Sequence, residues 1–141
     1  MHTLEFYVGP DVFTIWGDVK GLVHKAAEHS RGEWKASDVL IAVQDGRQHL
    51  WVGKKAGRIQ GVMVTSLDVH PRKTVCTIYA MSGYGVQELW EQYSKHLIVW
   101  LEAHHVDEVQ AVCRDEVMEK FLNLGFVKTA NMLSFKWKET P

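Results

Sequence analysis

The residues best suited to hold a ligand are Ser82-Gly83-Tyr84-Gly85, which stand between a β-rich run and a long amphipathic pattern. A strand that runs into such a loop and then into a helix presents unpaired backbone N–H groups and the positive end of the helix dipole to whatever sits above. Glycine permits positive φ and close backbone approach there, so the chemistry that fits is the binding of a phosphate. A tight strand-to-helix turn accounts for the two glycines equally well. With the preceding residue, the candidate contacts for a phosphate-bearing cofactor are Met81, Ser82, Gly83, Tyr84 and Gly85. A carboxylate introduced by Gly83→Glu is expected to block such a ligand without unfolding the chain.

His96, His104 and His105, with Asp107 and Cys113, are the residue types of a metal centre. On a straight helix, however, His96 and His104 lie more than two turns apart and His105 points about 100° away from His104, so they do not close one coordination sphere. No metal is expected. Cys76 and Cys113 are too few for a disulfide framework and lack the clustered spacing of a zinc site. They should sit in neighbouring strands beyond the ~7 Å that a bridge allows, as free thiols in a reducing, cytoplasmic setting.

The elements that must position these groups follow from periodicity. Val12, Ile15, Trp16, Val19, Leu22, Val23 and Ala26 keep a helical rhythm after Pro10-Asp11, although Gly17 and Gly21 each cost ~1 kcal/mol against alanine. Residues 30–36 are polar and read as a loop. Ser37 to Gly46 reads as a short capped helix, or as a strand if Asp45-Gly46 makes a hairpin. His49 to Lys55, Ile59 to Val69 and Val75 to Met81 are separated by short turns and predict an antiparallel meander. Val86, Leu89, Trp90, Tyr93, Leu97, Trp100 and Leu101 form one face of a long helix that should pack on the sheet. Glu108 to Cys113 reads as a strand parallel to the third meander strand, Glu116 to Leu124 as a short helix, and Phe126 to Lys138 as a last strand broken near Ala130-Asn131.

The 141 residues carry 16 Lys and Arg against 17 Asp and Glu, so no overall field favours nucleic acid or anionic lipid. A hydrophobic share of 46% with 23% charged residues excludes a disordered chain and suits one compact domain over residues 1–141. The longest apolar runs, Val39 to Val43 and Leu97 to Leu101, fall far short of the ~18 to 20 residues that cross a bilayer. The first residues carry no secretion signal.

This order of elements, with Ala80-Met81-Ser82-Gly83-Tyr84-Gly85 before the long helix and Phe121 four residues before Gly125-Phe126, resembles the GNAT superfamily of N-acetyltransferases. Members carry an Arg or Gln, two variable residues, Gly, one variable residue and Gly or Ala at the first site. Both glycines match, and Ala80 replaces the Arg or Gln. At the second site members place a Tyr that protonates the departing thiolate, where this chain has Phe121. Arg114 stands where many place an Asn and reads as a phosphate contact or as a structural residue.

The resemblance implies an α/β fold with a mixed, mainly antiparallel central sheet, helices on both faces and two parallel central strands that splay to admit a pantetheine arm. It implies acetyl-coenzyme A as co-substrate at Met81 to Gly85, direct attack by the amine of a small molecule or protein, and a soluble chain compatible with a homodimer. Asp68 and Glu33 are its candidate bases. Gly46 to Val52 and Ile59 to Thr65 are similar to short GNAT-like proteins of tailed bacteriophages. That likeness implies work in the host cytoplasm and admits a non-catalytic role in binding, assembly or host modulation.

Overall fold

The computed structural model describes residues 2–28, 33–83, 86–113, 115–136 and 138. Among them one sheet runs in the order β1 (His2–Tyr7), β2 (His49–Lys55), β3 (Arg58–Val69), β4 (Thr74–Gly83) and β5 (Glu108–Ala111). β1 to β4 pair antiparallel and β5 joins β4 in parallel, which gives the expected mixed sheet. The helices are α1 (Phe13–Ala27, entered through a 3-10 turn at Gly9–Val12), α2 (Ala36–Gln44), α3 (Val86–Ala103) and α4 (Asp115–Asn123). No helix among the described residues is long and apolar enough to cross a membrane.

Side chains alternate across a strand, so the central strands feed two cores. Leu50, Val52, Val62 and Val64 meet Val19 and Val23 of α1 and Val39 and Val43 of α2 on one face. Trp51, Met63, Cys76 and Ile78 meet Leu97 and Leu101 of α3 on the other. Tyr93, Leu97 and Leu101 are buried and Trp90 and Trp100 half-buried, as the apolar stripe of α3 demands. The side chain of Leu89, expected on that stripe, lies outside the described residues. Gly17 and Gly21 do not break α1, because both lie on its exposed side.

Local chemistry decides between the readings of residues 37–46. The Asp38 carboxylate accepts from the Lys35 N–H at 2.8 Å, and Gly46, at φ 80°, ends α2 as its own N–H bonds Val43 O and that of Arg47 bonds Ala42 O. Gly46 is therefore a helix terminator rather than a hairpin residue. The hairpin falls at Ala56-Gly57 (φ 50° and 80°), where two residues at positive φ match the twist of β2 and β3.

Three expectations need correction. β1, a six-residue strand that covers the edge of β2 and sends Leu4 and Phe6 toward α3, has no counterpart among the expected elements. β5 ends at Ala111 instead of Cys113. Residues 126–136 take no place in the sheet, and Val127, Leu133 and Phe135 are 75, 93 and 88% exposed. An alternating apolar pattern predicts a strand only where an edge and an apolar face receive it, and here neither does. Trp34, read as a loop residue, packs on the core beside α1 and α2.

Candidate active-site cleft

The parallel pair is fastened at one end and open at the other. Asp107 and Thr74 exchange bonds, Asp107 N–H to Thr74 O and Thr74 N–H to the Asp107 carboxylate, each 2.9 Å, and Lys73 meets Glu108 at 2.6 Å. Pairing runs from Val75–Glu108 to Ile78–Ala111 and stops, while β4 continues to Gly83. The register of β3 on β4 shifts at the same point: Thr65 faces Ile78 and Val64 faces Ala80, so Tyr79 is a bulge. A bulge bends its strand and sharpens its twist, which turns β4 away from β5. The edge of β4 from Tyr79 to Gly83 thus has no strand partner on its β5 side among the described residues, and it leads to the N-terminus of α3.

The candidate cofactor residues stand at this edge as far as they are described. Met81 and Ser82 are half-buried, and Gly83 is exposed at the end of β4. Tyr84, Gly85 and Arg114 lie outside the described residues. Gly83 pairs with Gly61 at φ 143°, and a Cβ there would come within 2.5 Å of Gln60 O and 2.6 Å of the Gly61 Cα. Close backbone contact with β3 therefore requires this glycine, whatever binds above. The expectation that Gly83→Glu leaves the fold intact is overturned.

Phe121, which the sequence resemblance sets where the superfamily has its proton donor, is buried. Gly125 at φ 99° closes α4, with Phe126 N–H bonded to Phe121 O and Gly125 N–H to Leu122 O. The paired rings of Phe121 and Phe126, 5.1 Å apart, complete that terminator, and Phe126 lies edge-on to Trp90. The Gly-Phe pair thus ties α4 to α3. Asp68 accepts from the Thr77 hydroxyl at 2.9 Å near the fastened end, roughly 26 Å of strand from Gly83, so the structure does not bring it to the loop.

Several other ionisable groups have structural partners. Cys76 and Cys113 are thiols not joined in a disulfide, as expected, and burial pushes the Cys76 thiol up to about 11, which leaves little thiolate at neutral pH. Burial and a bond to Glu5 push Tyr7 to about 12, and the Glu5 carboxylate also pairs with Lys54 at 2.9 Å. The ring of His104 stacks on Trp100, 4.3 Å between centroids, and His105 takes φ 54° to end α3. Among the described residues no three His, Cys, Asp or Glu side chains converge as a metal site.

His49 packs against Phe6 and Trp100 and lies 3.4 Å from the Thr65 hydroxyl, which accepts from the Trp51 indole at 2.9 Å. Burial, and secondarily the charge of His104, hold His49 below its usual pKa. The unfolded chain then takes up a proton that folded His49 resists, so this group's effect is absent well above the unfolded pKa of ~6.5 and destabilises the fold as pH falls through it. Urea midpoints at about pH 7.5 and about pH 5.5 should differ less in His49→Gln than in the parent chain. Equal slopes would contradict this assignment.

Sequence reasoning missed the row Leu4, Gly53, Gly61 and Gly83, which lie opposite one another across β1 to β4. The signal available was glycine inside strand patterns, which marks close approach of other groups. The row becomes visible only once the register is known.

No family model matches the sequence, and a search of the curated proteins finds no match. Solved structures do resemble it. An aminoglycoside N-acetyltransferase, AAC(6')-Iy, in complex with CoA superposes with a TM-score of 0.72 at 12% identity over 96% of this chain and 94% of that chain. A predicted acetyltransferase with acetyl-CoA from Clostridium acetobutylicum gives 0.68 at 8% identity over 96% of each chain. A ribosomal-protein-alanine N-acetyltransferase from Brucella melitensis biovar Abortus 2308 gives 0.69 at 10% identity over 99% of this chain and 100% of that chain. At such identities the likeness is one of architecture, and the chain has the fold of the GNAT acetyltransferases.

Proposed function

We propose that the protein is an acyl-coenzyme A-dependent N-acyltransferase. The observation that carries this reading is the parting of β4 from β5 beyond Ile78–Ala111, which leaves the backbone groups of Tyr79 to Gly83 free to pair with an extended amide-bearing arm. The pantetheine of acetyl-CoA is such an arm, and its pyrophosphate would meet the backbone of Met81 to Gly85 beside α3. CoA or acetyl-CoA bound to proteins of the same fold supports the choice. In the reaction the acceptor amine attacks the thioester carbonyl, the C–N bond forms, the C–S bond breaks, and the amine loses its proton. Phe121 has no proton to give, so the thiolate would take one from solvent and transfer would be slow. An aminoglycoside acetyltransferase with sisomicin bound shares the fold and supports an amine acceptor.

The burial of Phe121 where the superfamily places a Tyr favours a second reading, a non-catalytic binding, assembly or host-modulating protein. The likeness of Gly46 to Val52 to phage-encoded proteins supports a bacteriophage source and the host cytoplasm for either. Calorimetric titration with acetyl-CoA decides between them. Saturable heat is expected, and Ser82→Glu should weaken it by about ten-fold or more by setting a carboxylate beside the phosphates. Ligand at a hundred times its dissociation constant adds ~2.7 kcal/mol of stability, a rise of several degrees in a domain of this size. No heat and no shift would leave the non-catalytic reading.

A further inference from the structure

The sheet has an unfilled edge, and the chain carries a segment patterned to fill it. β5 is an edge strand, and no strand covers its outer side among the described residues. Sheet edges are commonly guarded by proline or lysine, and Glu108-Val109-Gln110-Ala111 contains neither. Val109 and Ala111 are half-buried against the core under α3, while Gln110 lies on the other face and is exposed. Leu133-Ser134-Phe135-Lys136 alternates in the same way, and Leu133 and Phe135 stand almost wholly in water. Paired with β5, these four residues would set apolar side chains beside Val109 and Ala111 and polar ones beside Gln110. In one chain the two stay apart: Phe126 is pinned to Phe121 and Trp90, and residues 127–136 run outside the sheet.

From this match we infer that the protein is a homodimer in which the arm 127–136 of each chain adds a strand to the outer edge of β5 of the other. A strand from an unrelated partner would cover β5 and leave Leu133 and Phe135 exposed. A second copy brings the same edge and the same arm, so one two-fold axis satisfies both at once. Main-chain hydrogen bonds would hold each arm, with Leu133 and Phe135 as its apolar anchors. The arm and the outer edge of β5 are separate from the Tyr79 to Gly83 edge of β4, so the inference does not depend on the acyltransferase reading.

Sedimentation equilibrium over a dilution series tests it. The parent chain should show a monomer–dimer equilibrium, and the double variant Leu133→Asp, Phe135→Asp should weaken association by about a hundred-fold or more, because it carries charges into a desolvated contact. Both side chains are exposed within one chain, so the double variant should keep the parent's circular dichroism spectrum. Val99→Asp, at an exposed apolar residue of α3, should leave association unchanged. Dimerisation should also slow amide hydrogen exchange of residues 108–112 and 132–136 together, by about ten-fold or more. A monomeric parent chain overturns the proposal, whether the arm then pairs with its own β5 or with nothing. So does a dimer that survives the double substitution, one that Val99→Asp disperses, a double variant that loses its folded spectrum, or protection of only one of the two segments.

Discussion

Gly83→Ala should lower the unfolding free energy by about 2 to 6 kcal/mol. The figure joins ~1 to 3 kcal/mol for a non-glycine residue held at a sparsely populated φ with ~1 to 3 kcal/mol for forcing an added methyl into close-packed surroundings. Both costs are visible at this residue: its φ is 143°, and the new Cβ would lie 2.5 Å from the Gln60 backbone oxygen and 2.6 Å from the Gly61 Cα of β3, main-chain atoms that cannot rotate aside as the end of a side chain would. Gly57→Ala is the matched control. Gly57 also has positive φ, at 80°, but nothing lies within 4 Å of its Cβ position, so it should show the conformational cost without the collision. Urea denaturation of the two variants measures the difference. Equal losses would mean that the contact between Gly83 and β3 is relieved at no cost.

Leu97→Ala is expected to cost ~2 to 5 kcal/mol, toward the upper end of that range. Leu97 is 2% exposed, lies among Trp51, Met63 and Ile78, and forms part of the wall of a small pocket under α3. A neighbouring side chain cannot relax into the vacated space without opening the existing pocket further, so the cavity penalty should persist in full. Ile98 follows it on the same helix but is 45% exposed, and Ile98→Ala should change stability by only about 0.5 kcal/mol or less. Equal effects of the two substitutions would show that the stripe of α3 does not face the sheet.

These two residues mark how far the sequence could be read. The stripe from Val86 to Leu101 has one continuous apolar face, and a helix with one such face must bury it, so α3 and its orientation were legible. The meander was legible for a similar reason: β2, β3 and β4 begin and end within two residues of the expected limits, because glycine- and proline-bearing turns interrupt runs rich in β-formers. Glycine could not be read in the same way. Gly83 suggested a phosphate loop, yet its contact with Gln60 and Gly61 depends on the register of β4 on β3, and register is a long-range property. The last strand failed because alternation around Leu133 and Phe135 states a propensity and names no partner.

By itself the sequence determined the local matters: where α1, α3 and α4 start and stop within a few residues, which face of each is apolar, and an order of elements that resembles an acetyltransferase-like fold, whereas Gly46 stayed open between a helix end and a hairpin. Each rests on contacts among residues a few positions apart. The tertiary structure alone decided what depends on strands being side by side. It placed the bulge at Tyr79 where β5 departs, aligned Gly53, Gly61 and Gly83 from three strands into one row, and buried Phe121 against Phe126 and the Tyr93 hydroxyl without a hydrogen-bond partner among the described residues. A single chain carries no mark of these pairings, because a shift of one residue in register would send every side chain to the opposite face and leave the sequence unchanged.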